Sequence, residues 1–345
     1  MNAQQIVSGL ALLGEELEAR PVDIIIEEGR IKAIEENPRA PPLWICPAFF
    51  NAHTHLADTI AMDYRSTGDL VSLVTPPDGL KHRLLNAASS QEIARAIRAS
   101  VDGMIHAGTF GCADFREGGV EGVRVFREAV AGIGFLPIIF GREGGEAEAG
   151  GLGISSTRDV TGVESQVREV KKAGGLLAFH AGERDKYDVD SALSFEPDML
   201  VHMTHATKKQ LRTCAEEEIP IAVCPRSNWV LGVTASARLP PLRMMLDLGC
   251  TVLLGTDNAM FVPPDLFSEM AFTSTVYRLD PVTVLRAAVS GASLAGSSFF
   301  IREGARAALF TLDPARSALI FSRDPAATIA KRAPAGAIRN NVFNL

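Results

Sequence analysis

From residue 44 onward, short apolar segments of strand length alternate with amphipathic stretches. The stretch 90–106 is typical of the latter, because its apolar residues recur three or four positions apart. Strands that alternate with helices predict a parallel sheet. Eight such units in about 250 residues predict a closed (β/α)₈ TIM barrel. The predicted strands are 44–53, 108–114, 135–140, 152–156, 176–180, 199–203, 219–224 and 251–257.

A doubly wound open sheet is the alternative arrangement of the same elements. No G-x-G-x-x-G follows the first strand, so the usual reason to prefer that fold is missing. The two chain ends differ from the middle, since they carry short β-like segments, including 22–26, 307–312, 319–321 and 341–343. We therefore expect 1–43 and 300–345 to form one small β-sandwich-like domain beside a barrel domain of 44–299.

Composition narrows the classes of function. The net charge is −7, which argues against nucleic acid or an anionic membrane as the main partner. No apolar run reaches the length of a transmembrane helix, and the first twenty residues lack the basic start of a secretory signal. The five cysteines are scattered and form no C-x-x-C, as expected for reduced thiols in a cytoplasm. The expected partner is a small-molecule substrate, and a homo-oligomer is left open.

His53-Thr54-His55 stands at the end of the first predicted strand. Alternate residues of a strand point to the same face, so this pair directs two imidazoles toward one point. By itself the pair is compatible either with metal ligation or with two hydrogen-bonded histidines at a strand end.

Three more polar groups lie at the ends of later predicted strands. They are His180 on the fifth strand, His202 on the sixth and Asp257 on the eighth. In a (β/α)₈ barrel the carboxyl ends of all strands meet at one mouth, so these side chains would converge with the first pair. Several imidazoles and one carboxylate suit Zn²⁺ or a similar divalent ion. The pattern predicts a catalytic metal site.

The same motifs resemble the amidohydrolase superfamily, in particular its mononuclear cytosine deaminase, S-adenosylhomocysteine deaminase and chlorohydrolase branch. The resemblance implies that His53, His55, His180 and Asp257 bind the metal. It implies further that Glu183 shuttles protons and that His202 polarises the substrate. The matching segments span nearly the whole chain: Glu28-Gly29-Arg30-Ile31, Pro47 to Leu56, His180-Ala181-Gly182-Glu183, Val201-His202, Cys224-Pro225-Arg226-Ser227-Asn228 and Gly255-Thr256-Asp257.

Elementary chemistry agrees with these roles. A catalytic metal lowers the pKa of its bound water from 15.7 toward ~7, which is worth ~12 kcal/mol, and the resulting hydroxide can attack an electron-poor carbon. A carboxyl group such as Glu183 must then carry a proton to the departing amine, while Asp257 can accept one from the attacking water. Dinuclear members of the superfamily usually carry a carboxylated Lys or a Glu on the fourth strand to bridge two metals. Here that strand ends without Lys or Glu, so the resemblance implies one metal ion. Zinc is the first choice, and iron or another divalent ion is the alternative.

We expect deamination of an aminated heterocycle such as a nucleobase, nucleoside or pterin. Hydrolysis of a cyclic amide or of a chlorinated ring at the same site is the alternative, and a non-catalytic scaffold is a third reading.

His202 is preferred over His205 for the strand-six role, because the family motifs keep the first histidine of such a pair. The candidates for substrate contact lie just beyond strand ends: Asp58, Asp114, Arg116, Glu117, Arg142, Arg226, Asn228 and Asn258. For Asp114, Arg116 and Glu117, a salt-bridge cluster is an equal alternative.

Overall fold

The computed structural model describes residues 4–65, 67–160 and 162–343. Two sheets organise these residues. The first is a six-stranded sheet built from both chain ends, with the order β15-β14-β4-β1-β2-β3. Its strands are β1 (Gln5–Leu13), β2 (Glu18–Glu27), β3 (Arg30–Glu36), β4 (Trp44–Pro47), β14 (Ala308–Leu312) and β15 (Ile338–Phe343).

The second sheet is parallel and carries the barrel. Its strands are β5 (Phe49–His55), β6 (Thr109–Arg116), β7 (Leu136–Gly141), β8 (Gly151–Ile154), β9 (Leu176–Ala181), β10 (Met199–His202), β11 (Ile221–Val223), β12 (Val252–Leu254) and β13 (Asp257–Asn258). Neighbours in this list are paired in sequence order from β5 to β12.

The last two of these segments close the ring. β12 pairs with β11, whereas β13 pairs with β5, so residues 252–258 act as the eighth strand and join the seventh to the first. The side-chain amide of Asn51 also joins the first strand to the eighth, since it donates to Thr256 Oγ1 at 2.8 Å and accepts from the Thr256 backbone amide at 3.0 Å. The predicted TIM barrel is confirmed.

Helices connect the strands of the two sheets along the chain. They are α1 (Leu70–Val74), α2 (Leu80–Ala87), α3 (Ser90–His106), α4 (Gly119–Val130), α5 (Glu146–Ala149), α6 (Val163–Lys172), α7 (Val189–Leu193), α8 (Lys208–Glu216), α9 (Pro225–Val230), α10 (Leu242–Asp247), α11 (Leu266–Val276), α12 (Pro281–Ser290) and α13 (Pro325–Arg332). Capping boxes at Ser89 and Thr207 satisfy the first amides of α3 and α8, which fixes where these helices begin. Among the described residues, no helix combines the length and apolar character needed to cross a membrane.

Two predicted strands differ from the structure. Residues 44–53 are not one strand, because β4 belongs to the small sheet and the barrel strand begins only at Phe49. Residues 319–321 lie in a short 3₁₀ helix, where Leu319 is buried while Ile320 and Phe321 face solvent. None of the described strands pairs with this apolar run, so its β propensity does not determine its conformation.

The domain assignment of 1–43 and 300–345 stays a prediction. Both ends do contribute strands to one six-stranded sheet. Helix α13, however, packs against α11 and α12 of the barrel, and its Ile329 and Ala330 are buried in the main apolar core. The C-terminal segment therefore contacts both parts of the molecule.

Gly255 lies between β12 and β13, where the chain runs against the first barrel strand. A Cβ built there would lie 2.8 Å from both the Cβ and the backbone nitrogen of His53. We expect Gly255→Ala to lower the free energy of unfolding by ~1–3 kcal/mol, because β5 must shift to admit the methyl group. Gly103→Ala in α3 is the control, since a Cβ there would meet nothing within 4 Å. This variant should raise the free energy of unfolding by ~0.5–1 kcal/mol, because alanine favours a helix more than glycine does. Chemical unfolding measures both, and an unchanged Gly255 variant would contradict the close packing.

Candidate active site

Five side chains from four regions of the barrel sheet meet at its carboxyl end. His53 and His55 end β5, His180 lies near the end of β9, His202 ends β10 and Asp257 begins β13. All five are buried. The rings of His53 and His180 are 4.7 Å apart, and those of His53 and His55 are 5.0 Å apart. The structure therefore brings together the residues that the sequence marked at separate strand ends.

The nitrogen and oxygen atoms of this cluster face a common centre. Nε2 of His53 lies 3.1 Å from Asp257 Oδ1, and Nε2 of His55 lies 3.6 Å from the same oxygen. Two sets of donor atoms fall within 4.8 Å of one another, namely His53 with His55 and His180, and His53 with His202 and Asp257. A set of imidazoles and one carboxylate fits a borderline divalent cation. The cluster can thus hold one such ion.

Hydrogen bonds on the far side of the rings orient the donors. Nδ1 of His55 is 3.1 Å from Glu117 Oε1, and Nδ1 of His180 is 2.9 Å from the carbonyl oxygen of Ile154. A ring that donates through Nδ1 keeps the lone pair of Nε2 free for a metal. Ser227 donates to the other oxygen of Asp257 at 2.6 Å. These contacts direct Nε2 of two histidines and one oxygen of Asp257 into the centre.

The protonation states also suit a metal site. Burial lowers the pKa of His53 to about 4, against an opposing hydrogen bond with Asp257. Burial likewise holds the pKa values of His55 and His180 well below the ordinary value, so these imidazoles are neutral at pH 7. Burial would raise the pKa of Asp257, but its hydrogen bond with His53 and the neighbouring histidines hold it well below its usual range. Neutral imidazoles and a carboxylate are the forms that bind metals.

Backbone strain marks two of these positions. His202 has a φ of 70° and Asp257 a φ of 62°, in the left-handed region that non-glycine residues avoid. Such strain is retained where the surrounding structure demands a particular side-chain direction, and it is common at active sites. Here it turns both side chains toward the centre at the points where their strands end.

A cavity opens directly above this cluster, with about 600 Å³ of space between protein atoms, its open mouth included. Glu183 lines it, and Glu183 Oε1 lies 3.6 Å from Nε2 of His202. Burial raises the pKa of Glu183 above its ordinary value, although His202 partly opposes this shift. A raised pKa makes this carboxyl group easier to protonate, which suits a group that carries protons.

The candidates for substrate contact divide into two sets. Arg142 and Asn258 line the cavity, and their role in substrate binding stays a prediction. The other six are absent from the cavity lining and have partners within the protein. Arg226 binds Glu269 at 2.6 Å, and Asn228 donates to Thr204 at 3.0 Å. The remaining four, Asp58, Asp114, Arg116 and Glu117, belong to a buried network of charges behind the histidines.

This network favours the salt-bridge alternative for the charged segment at the end of β6. Asp114 accepts from the amide of Leu56 at 2.7 Å, and Arg116 pairs with both Asp114 and Glu117. Glu117 also pairs with Arg142 at 3.2 Å. Glu117 contacts the ring of His55 from the side away from the cavity, and Asp114, Arg116 and Glu117, unlike Arg142, do not line the cavity.

Sequence reasoning missed two contributors. Lys81 of α2 lies in the network and lines the cavity, yet a lone lysine in a loop segment gave no signal. Ser227 supports Asp257, and only its place in the Cys224-to-Asn228 motif hinted at a role. The neighbouring His82 is also buried, and its ring lies 3.1 Å from the carbonyl oxygen of Val74.

Comparisons with known proteins agree with this geometry. A family model described as adenosine deaminase matches residues 158–310. A protein described as "Putative aminohydrolase" from Methanothermobacter thermautotrophicus is 33% identical, and the match covers 96% of this chain and 95% of that protein. The chain belongs to the amidohydrolase superfamily. The predicted resemblance is confirmed.

Other members of this superfamily extend the likeness. The 5-methylthioadenosine/S-adenosylhomocysteine deaminase of Halobacterium salinarum is 26% identical, with 87% of this chain and 80% of that protein covered. The crystal structure of an atrazine chlorohydrolase from Arthrobacter aurescens with zinc matches with a TM-score of 0.81 at 16% identity, covering 98% and 93% of the two chains. At that identity the structural match concerns the fold. The reaction class follows instead from the family model and the sequence relatives, which make this amidohydrolase a hydrolase of the deaminase class, acting on carbon–nitrogen bonds other than peptide bonds.

Replacements of His202 and His205 should differ in their effect on turnover. His202 lines the cavity at the strand end, whereas His205 lies three residues later and outside the lining. We expect His202→Asn to retain metal but to lose most turnover, by roughly 10²-fold or more, because a group beside the developing charge is removed. His205→Asn should change turnover little. Steady-state rates and metal content measure both, and the reverse order of sensitivity would move this role to His205.

Proposed function

We propose that this amidohydrolase deaminates an aminated heterocycle, such as a nucleobase, nucleoside or pterin, with one divalent ion held by His53, His55, His180 and Asp257. The observation that carries the proposal is the meeting of these four donors beneath a cavity lined by Glu183 and His202. The relative named as a deaminase of adenosine derivatives supports the choice of an amino-substituted ring.

The chain's own residues would perform most of the chemistry. The ion would supply Lewis acidity, which lowers the pKa of a bound water toward 7. Asp257, held by Ser227, would accept a proton from the attacking water. Glu183 would carry a proton to the ring nitrogen and then to the departing amine, which leaves as ammonia. His202 would donate a hydrogen bond toward the developing negative charge.

A single ion, with zinc as first choice, fits the donor set. The fourth barrel strand, β8, ends at Ile154 and is followed by Ser155 and Ser156, so it offers no lysine or acid to bridge a second ion. Zinc is bound in the chlorohydrolase structure and in an adenosine deaminase from Xanthomonas campestris with the same fold. Three histidines and one carboxylate are ordinary zinc ligands.

Two measurements test the proposal. Elemental analysis of the purified protein should find close to one divalent ion per chain. A screen for ammonia release over nucleobases, nucleosides and pterins should then identify a substrate. Two ions per chain would contradict the mononuclear site. Turnover without ammonia would favour hydrolysis of a cyclic amide or a chlorinated ring, and absence of metal would favour a scaffold.

We propose a reducing, cytoplasmic compartment for the enzyme. All five cysteines are free and buried, which suits thiols that are never oxidised to disulfides.

The partner of the enzyme is a small-molecule substrate. The acidic net charge supports the expectation that nucleic acid is not a partner. A homo-oligomer remains a prediction.

A further inference from the structure

Lys81 lies outside the barrel strands but reaches the centre of the site. It belongs to α2, in the stretch between β5 and α3, and its side chain is buried. Its Nζ lies 2.8 Å from Glu117 Oε1, 3.0 Å from Asp58 Oδ2 and 2.9 Å from Nδ1 of His55. An ammonium group is rarely buried unless it is paired, and here two carboxylates pair with it.

Glu117 connects Lys81 to His55. Its Oε2 accepts from Arg116 at 2.9 Å, while Oε1 lies within 3.2 Å of His55, Lys81 and Arg142. Arg116 holds Oε2, whereas Lys81 and Arg142 are the two cations at Oε1, the oxygen beside His55. Lys81 is the nearer of the two, at 2.8 Å against 3.2 Å. Burial would raise the pKa of Glu117, but Lys81 is the strongest of the neighbours that hold it well below its usual range.

The position of the proton on His55 depends on this arrangement. If Nδ1 donates to Glu117, the Nε2 lone pair is free toward Asp257 and His53. If Nδ1 instead accepts from Lys81, the proton must lie on Nε2 and blocks metal binding. Glu117 and Asp58 both accept from the ammonium, so two of its three protons are engaged by carboxylates and not by the ring.

We propose that Lys81 is a positioning residue that holds Glu117 as the hydrogen-bond acceptor of His55 Nδ1 and thereby prepares His55 Nε2 for the metal. This inference rests on the proposed function, since it requires His55 to be a ligand. The same residue attaches the segment of α1 and α2 to the site, because Leu70, Val74 and Lys81 all line the cavity. Lys81 would thus connect the segment of α1 and α2 to the metal centre.

The test is the Zn²⁺ dissociation constant of the intact protein, measured by competition with a chelator. We expect Lys81→Met to weaken Zn²⁺ binding by ~10–100-fold, as is usual when a hydrogen-bond partner of a ligand is lost. Glu117→Gln should weaken it by a similar factor. The double variant should be no weaker than Glu117→Gln alone, because Lys81 acts through Glu117. Lys171→Met, which removes a partly exposed lysine paired with Glu196, is the matched control.

Several outcomes would overturn the inference. Lys81→Met with a Zn²⁺ affinity within about twofold of wild type would do so. A double variant whose loss of Zn²⁺ affinity equals the product of the two single losses would also do so, because the two residues would then act independently. If Lys81→Met does not fold because two buried carboxylates lose their cation, Lys81→Met with Asp58→Asn removes one of them and is measured instead, with the same expected loss. Failure of the wild type to bind Zn²⁺ would overturn the proposed function instead.

Discussion

Replacing His180 with alanine is expected to abolish metal binding and turnover together. His180 is buried, its Nδ1 is 2.9 Å from the Ile154 carbonyl, and its ring lies 4.7 Å from that of His53. Alanine offers no donor atom, so the set of His53, His55 and His180 loses one of its three ligands. The affinity for the ion should fall by more than the ~10–100-fold that the loss of a ligand's hydrogen-bond partner costs.

Elemental analysis and rate measurement on the same sample check this expectation. His106→Ala is the control, because His106 is exposed at the end of α3, its Nδ1 lies 2.6 Å from the carbonyl oxygen of Asp102, and it belongs to neither donor set. The control should keep one ion and full activity. A His180 variant with a full complement of metal would show that the fifth barrel strand supplies no ligand.

Replacing Glu183 with glutamine is expected to lower turnover by ~10²–10⁴-fold, with the metal content unchanged. Glutamine keeps the size of the side chain but cannot carry a proton between water and the departing amine. Glu183 lines the cavity three residues after His180 and is no member of either donor set, so the ion should stay bound. Single-turnover rates and metal analysis separate the two effects.

The comparison variant is Glu216→Gln, at the exposed end of α8. It removes the same charge far from the cavity and should leave turnover unchanged. If the Glu183 variant were nearly as active as wild type, another group would have to serve as the proton shuttle. Asp159 and Asp188, the acids of the cavity lining that are not proposed metal ligands, would then be the candidates.

Local sequence patterns predicted the barrel and its metal cluster. Each barrel strand is a short apolar run, and in a closed parallel barrel all carboxyl ends meet at one mouth. For that reason His53, His55, His180, His202 and Asp257 could be placed together although they span 200 residues of the chain. The strand count also placed Ile154 and the two serines after it at the end of the fourth strand.

The partners of charged side chains could not be predicted in this way. Asp58, Glu117 and Arg226 follow strand ends or helix starts, which made them candidates for substrate contact. The structure instead gives each of them a buried partner, and the partners Lys81 and Glu269 are distant in sequence. A charged residue near the mouth can face either the cavity or the protein behind it, and local pattern does not distinguish these directions.

By itself the sequence predicted the fold class through its periodicity and the superfamily through the resemblance of its motifs, and it marked five polar residues at strand ends as candidates for a metal site. Only the tertiary structure decided where the first barrel strand begins, that residues 319–321 form no strand, and how the donors are oriented. Orientation depends on contacts between distant segments, such as Glu117 with His55 and Ser227 with Asp257. Such contacts arise when the ring closes and the covering helices pack, and no short stretch of sequence encodes them.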